Sequence, residues 1–186
     1  MPWPVTSSRV AYENRWIEVT EDQVVLPDGR PGLYGVVTVR RPAVFVVALT
    51  EAAEVLLVEV DRHTTGRSWE VPAGGTDGED PVDAARRELL EETGYTAGTW
   101  RQIGSMNALN GICRAPETVW LATDLTAASA DSDAAREAEA EQASEGISGV
   151  RLVPLDELLA MVEDGTVSDG ETVAALMYAL LALDRV

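Results

Sequence analysis

The chain has 186 residues, 46% of them hydrophobic and 25% charged, enough apolar material for one sizeable core and a small appendage. Its 32 acidic residues against 14 basic ones give a formal net charge of -18, which excludes a nonspecific grip on nucleic-acid phosphates. A single cysteine, Cys113, excludes an intramolecular disulfide, a single histidine, His63, excludes a site of several imidazoles, and no run reaches the roughly 18 apolar residues of a membrane span.

In chain order, MPWPVTSSRV has neither the basic nor the apolar part of a secretory leader, so a cytoplasmic protein with no membrane partner is expected. Residues 10 to 41 alternate apolar and polar side chains in WIEVTEDQVVL and LYGVVTVRR around the turn PDGRPG, which predicts a small antiparallel meander. It reads as separable, dividing the chain into domains 1–41 and 42–186. Beyond Pro42 the near-continuous apolar runs AVFVVALT and EVLLVEV predict strands buried on both faces. SWEVPAGG leads from a short strand into a glycine-rich loop. Asp80, Pro81 and Asp83 then supply an N-cap, a proline at N1 and an acid at N3, so a helix starts at Pro81 and stops before Gly94. Strands follow at WRQIGSM and ETVWLATDL, with the loop NALNGICRAP between them, and at GVRLVPL. Between Thr126 and Gly149 the chain is alanine- and acid-rich, with no aromatic or branched aliphatic residue until Ile147, which predicts a disordered insertion or a functional lid. Two C-terminal helices close the chain: LDELLAMVEDG, and one opened by a Ser168/Glu171 capping box with a core stripe of Val173, Leu176, Met177, Leu180 and Leu181.

The first helix holds the chemistry. RRELLEETGY sets Glu88 and Glu92 at i,i+4 with Glu91 beside them. Like charges so placed cost about 0.2–0.5 kcal/mol per pair in water and more where solvent is shielded. Arg87 stands four residues before Glu91 to pair with it, and the glycine-rich loop can present backbone carbonyls next to the carboxylates. Such an all-oxygen nest suits magnesium or manganese.

From Glu79 to Tyr95 the sequence resembles the signature of the Nudix hydrolases, G-x5-E-x7-R-E-U-x-E-E-x-G-U with U hydrophobic. Glu79, Arg87, Glu88, Leu89, Glu91, Glu92, Gly94 and Tyr95 fit in register. Only four residues separate Gly74 from Glu79, so either the loop is one residue shorter than the pattern or Ala73 stands in the glycine's place. YENRWIEV, LPDGRPGLYGVV, SWEVPAGG and the C-terminal helices narrow the resemblance to the ADP-ribose pyrophosphatase branch, with GDP-mannose hydrolases as relatives.

The resemblance implies an α/β fold, a Nudix α/β/α sandwich with a mixed sheet, carrying the N-terminal β meander as a dimerising, strand-swapped element. It implies a homodimer that hydrolyses a nucleotide sugar with Mg2+, or Mn2+ in its place, most readily ADP-ribose to AMP and ribose 5-phosphate. Alternatives are a GDP-mannose or other nucleotide-sugar hydrolase, or a module that binds ADP-ribose without cleaving it. Glu88 and Glu92, with Glu91 and the Ala73 backbone, would hold the metal. Arg87 would orient them, while Glu79, Gly74 and Gly94 shape the box. Arg62, Arg41, Glu117 and Gly75 are candidate substrate contacts. The catalytic base is expected before GVRLVPL, at Glu145, with Glu141 as runner-up and Glu91 next.

Overall fold

The computed structural model describes residues 3–129 and 131–185, which include every candidate site residue; Met1 and Val186 at the expected domain limits, and Ala130 of the acid-rich segment, fall outside. In chain order the elements are β1 (Val5–Glu13), β2 (Ile17–Val25), β3 (Pro31–Val39), β4 (Ala43–Ala48), β5 (Glu54–Arg62), β6 (Gly66–Glu70), β7 (Ala73–Gly75), α1 (Pro81–Thr93), β8 (Tyr95–Asn107), β9 (Cys113–Arg114), β10 (Pro116–Ala127), α2 (Asp133–Glu145), β11 (Ile147–Pro154), α3 (Leu155–Glu163) and α4 (Gly170–Ala182). Two compact units result, Met1–Pro42 with Met106–Glu117, and Ala43–Ser105 with Thr118–Val186. Among the described residues no helix is long and apolar enough to cross a membrane.

The first unit is a four-stranded sheet in the order β1-β2-β3-β9. Strands β2 and β3 pair antiparallel without interruption from Ile17↔Val39 to Val25↔Pro31. The expected turn joins them, with Gly29 at φ 86, a left-handed value that glycine adopts without steric cost. Strand β1 lies outside the predicted pattern because all nine of its residues are exposed, so no buried face imprints an alternation on it. The loop NALNGICRAP also departs from expectation: Cys113 and Arg114 pair parallel with Val37 and Thr38.

The second unit contains two sheets, β7-β4-β10-β8 and β11-β5-β6. Its core follows the apolar runs. Val44, Val46 and Ala48 of β4, Leu56 of β5 and Ala122 of β10 meet Ala84, Ala85 and Leu89 of α1. In β5 the consecutive residues Val55, Leu56, Leu57 and Val58 are all buried, as a strand covered on both faces requires. Helix α1 begins and ends where its caps dictate: the Asp80 side chain accepts from the Val82 N–H, and Gly94 sits at φ 72 with its N–H donating to the Leu90 carbonyl. Part of the expected glycine-rich loop is strand β7, paired antiparallel with β4 through Ala73↔Phe45, Gly74↔Val44 and Gly75↔Ala43.

Two helices correct the sequence reading. Within the acid-rich segment, expected as a disordered insertion or a functional lid, Asp133–Glu145 form an ordered helix, α2, capped by Ser132 on the Ala135 N–H and ended by Gly146 at φ 78. It buries only Ala138, which is why no apolar stripe announced it. Helix α4 is capped by Asp169 rather than Ser168, and its buried face is Thr172, Ala175, Leu176, Ala179 and Leu180. Met177 and Leu181, assigned to the stripe by their hydrophobicity, are 51% and 54% exposed because the smaller Ala175 and Ala179 occupy the inner face. Replacing Leu176 with alanine is therefore expected to cost about 2–5 kcal/mol in denaturant unfolding, and Met177→Ala no more than about 0.5 kcal/mol. Equal costs would return Met177 to the core.

Candidate active site

The site is built on α1 and the short strand before it. The Arg87 guanidinium donates from Nε to Glu79 Oε2 (3.2 Å), from Nη1 to Glu88 Oε1 (2.8 Å) and Glu91 Oε2 (2.9 Å), and from Nη2 to the Gly75 carbonyl (2.8 Å). One side chain thus ties three carboxylates to the β7 backbone. Of these bonds the sequence spacing anticipated the one to Glu91. Glu92 turns the other way, its Oε2 accepting the Ala73 N–H at 2.9 Å. Gly74 lies between these contacts, and a Cβ built on it would fall inside the Glu88 carboxylate. A side chain at 74 would therefore displace the Glu88 carboxylate from its place beside Arg87, whichever position of the box pattern Gly74 fills.

Charge is concentrated here to an unusual degree. Glu88 and Glu92 are 6% and 4% exposed. Burial pushes Glu88 up to about 7, against the pull of Arg87 and with Glu145 and Glu91 adding to the rise. Burial also holds Glu92 well above the ordinary carboxylate range; the Ala73 N–H and Arg62 oppose this, and the charges of Glu88 and Glu145 reinforce it. Burial and the neighbouring Glu141 and Glu91 likewise raise Glu145, the last residue of α2. The structure therefore brings Glu145 into the field of the α1 carboxylates. Glu141 lies one turn earlier and lines, with Glu137, Ala134 and Ala138, a groove of about 270 Å³ against Arg87, Leu90 and Glu91.

Arg62, at the end of β5, donates from Nε (3.2 Å) and Nη2 (2.8 Å) to Glu70 Oε2. Burial works against its charge, but Glu70, with Glu92 and Asp169, more than compensates and holds Arg62 above its usual range. Glu70 is the residue that sequence reasoning missed. Its signal was present: in SWEVP the alternation that buries Ser68 also points Glu70 inward, and an acid at an inward position needs a partner. Arg41 and Glu117 belong to the first unit, where Arg41 is exposed after β3 and Glu117 is buried at the second position of β10.

These donors fit a hard divalent cation. They are all oxygens, two of the carboxylates are buried, and glycine at 74 leaves the space that the Glu88 carboxylate fills. Among the described residues no three acidic, histidine or cysteine side chains already converge as a ligand set, in keeping with Arg87 holding Glu88 and Glu91 and the Ala73 N–H holding Glu92.

A pH dependence follows for the protein stripped of metal. Below about pH 4.5 both the folded and the unfolded states keep the Glu92 proton. As pH rises the unfolded chain ionises first, so stability is lost progressively through the raised folded value. Glu92→Gln should therefore melt higher than wild type at pH 8 in chelator, by a few degrees if about 1 kcal/mol is recovered, and the difference should vanish near pH 4.5. A variant melting lower than wild type at pH 8 would show that burial of Glu92 carries no such cost.

Comparison with known proteins agrees with this geometry. The NUDIX domain matches residues 39–176 and the nucleoside diphosphate sugar hydrolase N-terminal domain matches residues 3–37. An ADP-ribose pyrophosphatase of Bacillus subtilis is 31% identical over 173 residues, covering 91% of this chain and 88% of the relative. A GDP-mannose pyrophosphatase of Yersinia enterocolitica is 32% identical over 120 residues, 64% of this chain and 59% of the relative. The crystal structure of an ADP compounds hydrolase superposes with a TM-score of 0.80 over 100% of this chain and 98% of its own at 20% identity, a likeness of fold. On the extent of these matches, and with the carboxylates of the box in place along α1, the chain belongs to the Nudix hydrolase family.

Proposed function

We propose that the protein is a cytoplasmic enzyme that hydrolyses the pyrophosphate of a nucleoside diphosphate sugar, ADP-ribose foremost, to give AMP and ribose 5-phosphate. The observation that carries this reading is the Arg87 network, which holds Glu88 and Glu91 beside buried Glu92 and within the field of Glu145. The similarity to the Bacillus subtilis ADP-ribose pyrophosphatase over most of both chains supports the choice of substrate. GDP-mannose is the second reading, supported by the Yersinia enterocolitica relative.

Glu88, Glu92 and Glu91, with the Ala73 backbone, would hold Mg2+ or Mn2+, which when bound neutralises pyrophosphate oxygens and acidifies water. The rest falls to the chain. Arg87 fixes the carboxylates rather than the substrate, since four of its five N–H donors are taken by Glu79, Glu88, Glu91 and the Gly75 carbonyl. Arg62 binds the diphosphate. Glu145 accepts a proton from the attacking water, whose oxygen bonds to one phosphorus while the anhydride P–O bond breaks and the departing phosphate keeps the electron pair. The raised proton affinity of Glu145 suits that task. Its place at the end of α2 beside Gly146, at φ 78, lets the helix end adjust over substrate.

A panel of nucleotide sugars with magnesium, resolved by product, tests the reading: AMP and ribose 5-phosphate should form fastest from ADP-ribose. Faster release of GMP from GDP-mannose would select the second reading, and tight ADP-ribose binding without products would replace the enzyme by a binding module. In the same assay Glu145→Gln should lose turnover by about 100-fold or more, as expected for a lost base, while Glu141→Gln loses far less. The reverse order would move the base to Glu141, and normal rates in both would move it to Glu91.

Two copies pair through the first unit. Supporting this, β1 is an edge strand exposed along its whole length, and Val5, Val10, Tyr12, Trp16 and Leu33 of that unit are all more than half exposed. Light scattering at micromolar concentration should give the mass of a dimer, and removal of residues 1–41 should abolish both dimer and activity. A monomeric intact chain would refute the pairing.

A further inference from the structure

Glu70 is a buried carboxylate outside the box that the proposed chemistry leaves unused. It ends β6, its side chain is 8% exposed, and its one described ion-pair partner is Arg62, whose side chain is 46% exposed. The register makes this pair demanding. Across β5 and β6, Arg62 lies opposite Gly66, whereas Glu70 lies opposite Val58. The two Cα atoms are thus four residues apart along the strands, about 13 Å at roughly 3.3 Å per residue, and both side chains must extend toward each other to meet. The backbone after Glu70 is pinned as well, because the Val71 N–H donates to Thr172 Oγ1, a fully buried hydroxyl on the first turn of α4.

The bond to Glu70 uses Nε and one Nη2 hydrogen of a guanidinium that carries five N–H donors. The remaining donors, on the half-exposed end, keep the fork geometry that matches phosphate oxygens. Glu92 and Asp169 are the other anions whose charge acts on Arg62, and without Glu70 they would compete for its guanidinium. Such a pairing would turn the outer donors away from the substrate.

We propose that Glu70 is a positioning residue: by fixing Arg62 along the β5–β6 edge it presents the outer guanidinium donors to the substrate pyrophosphate. This rests on the pyrophosphatase reading above. The test compares wild type, Glu70→Gln, Arg62→Ala and the double variant, by steady-state kinetics on the best nucleotide sugar and by calorimetric binding of magnesium pyrophosphate. Loss of a charge-assisted contact predicts that Glu70→Gln raises KM and the pyrophosphate Kd by about tenfold or more, with kcat changed less than KM. In the Arg62→Ala background the same replacement should have less than about a twofold effect, because its target is gone. An unchanged KM and Kd in Glu70→Gln, or effects that multiply in full in the double variant, would overturn the inference. If Glu70→Gln does not fold, Glu70→Asp, which keeps the charge but shortens the reach, carries the same comparison. A wild-type protein that binds pyrophosphate but cleaves no nucleotide sugar defeats the functional reading, while the binding arm still decides the role of Glu70. Wild type without pyrophosphate binding defeats the inference itself.

Discussion

Burying Glu88 and Glu92 on adjacent turns of α1 demands more compensation than a helix can return. Each carboxylate loses its water, each repels the other, and Glu91 and Glu145 add to the same negative field. The rest of the second unit answers that demand. Arg87 supplies a delocalised cation whose fork satisfies three carboxylates and a carbonyl at once, a task for which the point charge of a lysine would be unsuited. The Ala73 N–H supplies the dipole that Glu92 requires.

The scaffold explains why these groups can approach so closely. Strand β7 is held by β4, and the same β4 packs against the small residues Ala84 and Ala85 of α1, so helix and strand come together with little side-chain bulk between them. Gly74 leaves the space that the Glu88 carboxylate occupies. The caps at Asp80 and Gly94 then fix where α1 starts and stops, and hence which turns carry Arg87, Glu88 and Glu92. A residual excess of negative charge remains after Arg87 and Arg62 are counted, and a divalent cation is the partner that such a cluster calls for.

Much of this was legible in the residues. Helix α1 carries both caps, a buried apolar side and the full run of box acids, so its limits and the placement of its carboxylates could be read together. Strands β4 and β5 announced themselves because a strand covered on both faces has no polar alternation to confuse it. What escaped was structure without an apolar imprint. Strand β1 exposes all nine residues and α2 buries a single alanine, so neither wrote a hydrophobic period into the sequence. The α4 face was misassigned because hydrophobicity was used where side-chain size decided: Ala175 and Ala179 go inside, while Met177 and Leu181 stay out. Glu70 escaped because its partner Arg62 is brought to it by strand pairing, which no local spacing encodes.

The central claim is that the α1 carboxylates form an electrostatically incomplete site that a divalent cation completes. Its most direct test is the unfolding midpoint of chelator-treated wild-type protein at pH 8 as magnesium or manganese is added back. Binding to the folded state alone predicts a saturable onset and a rise equivalent to about 2.7 kcal/mol at a hundredfold excess over Kd, and the rise should be largely lost in Glu92→Gln. A midpoint indifferent to millimolar amounts of either cation, or an equal rise in the variant, would contradict the account.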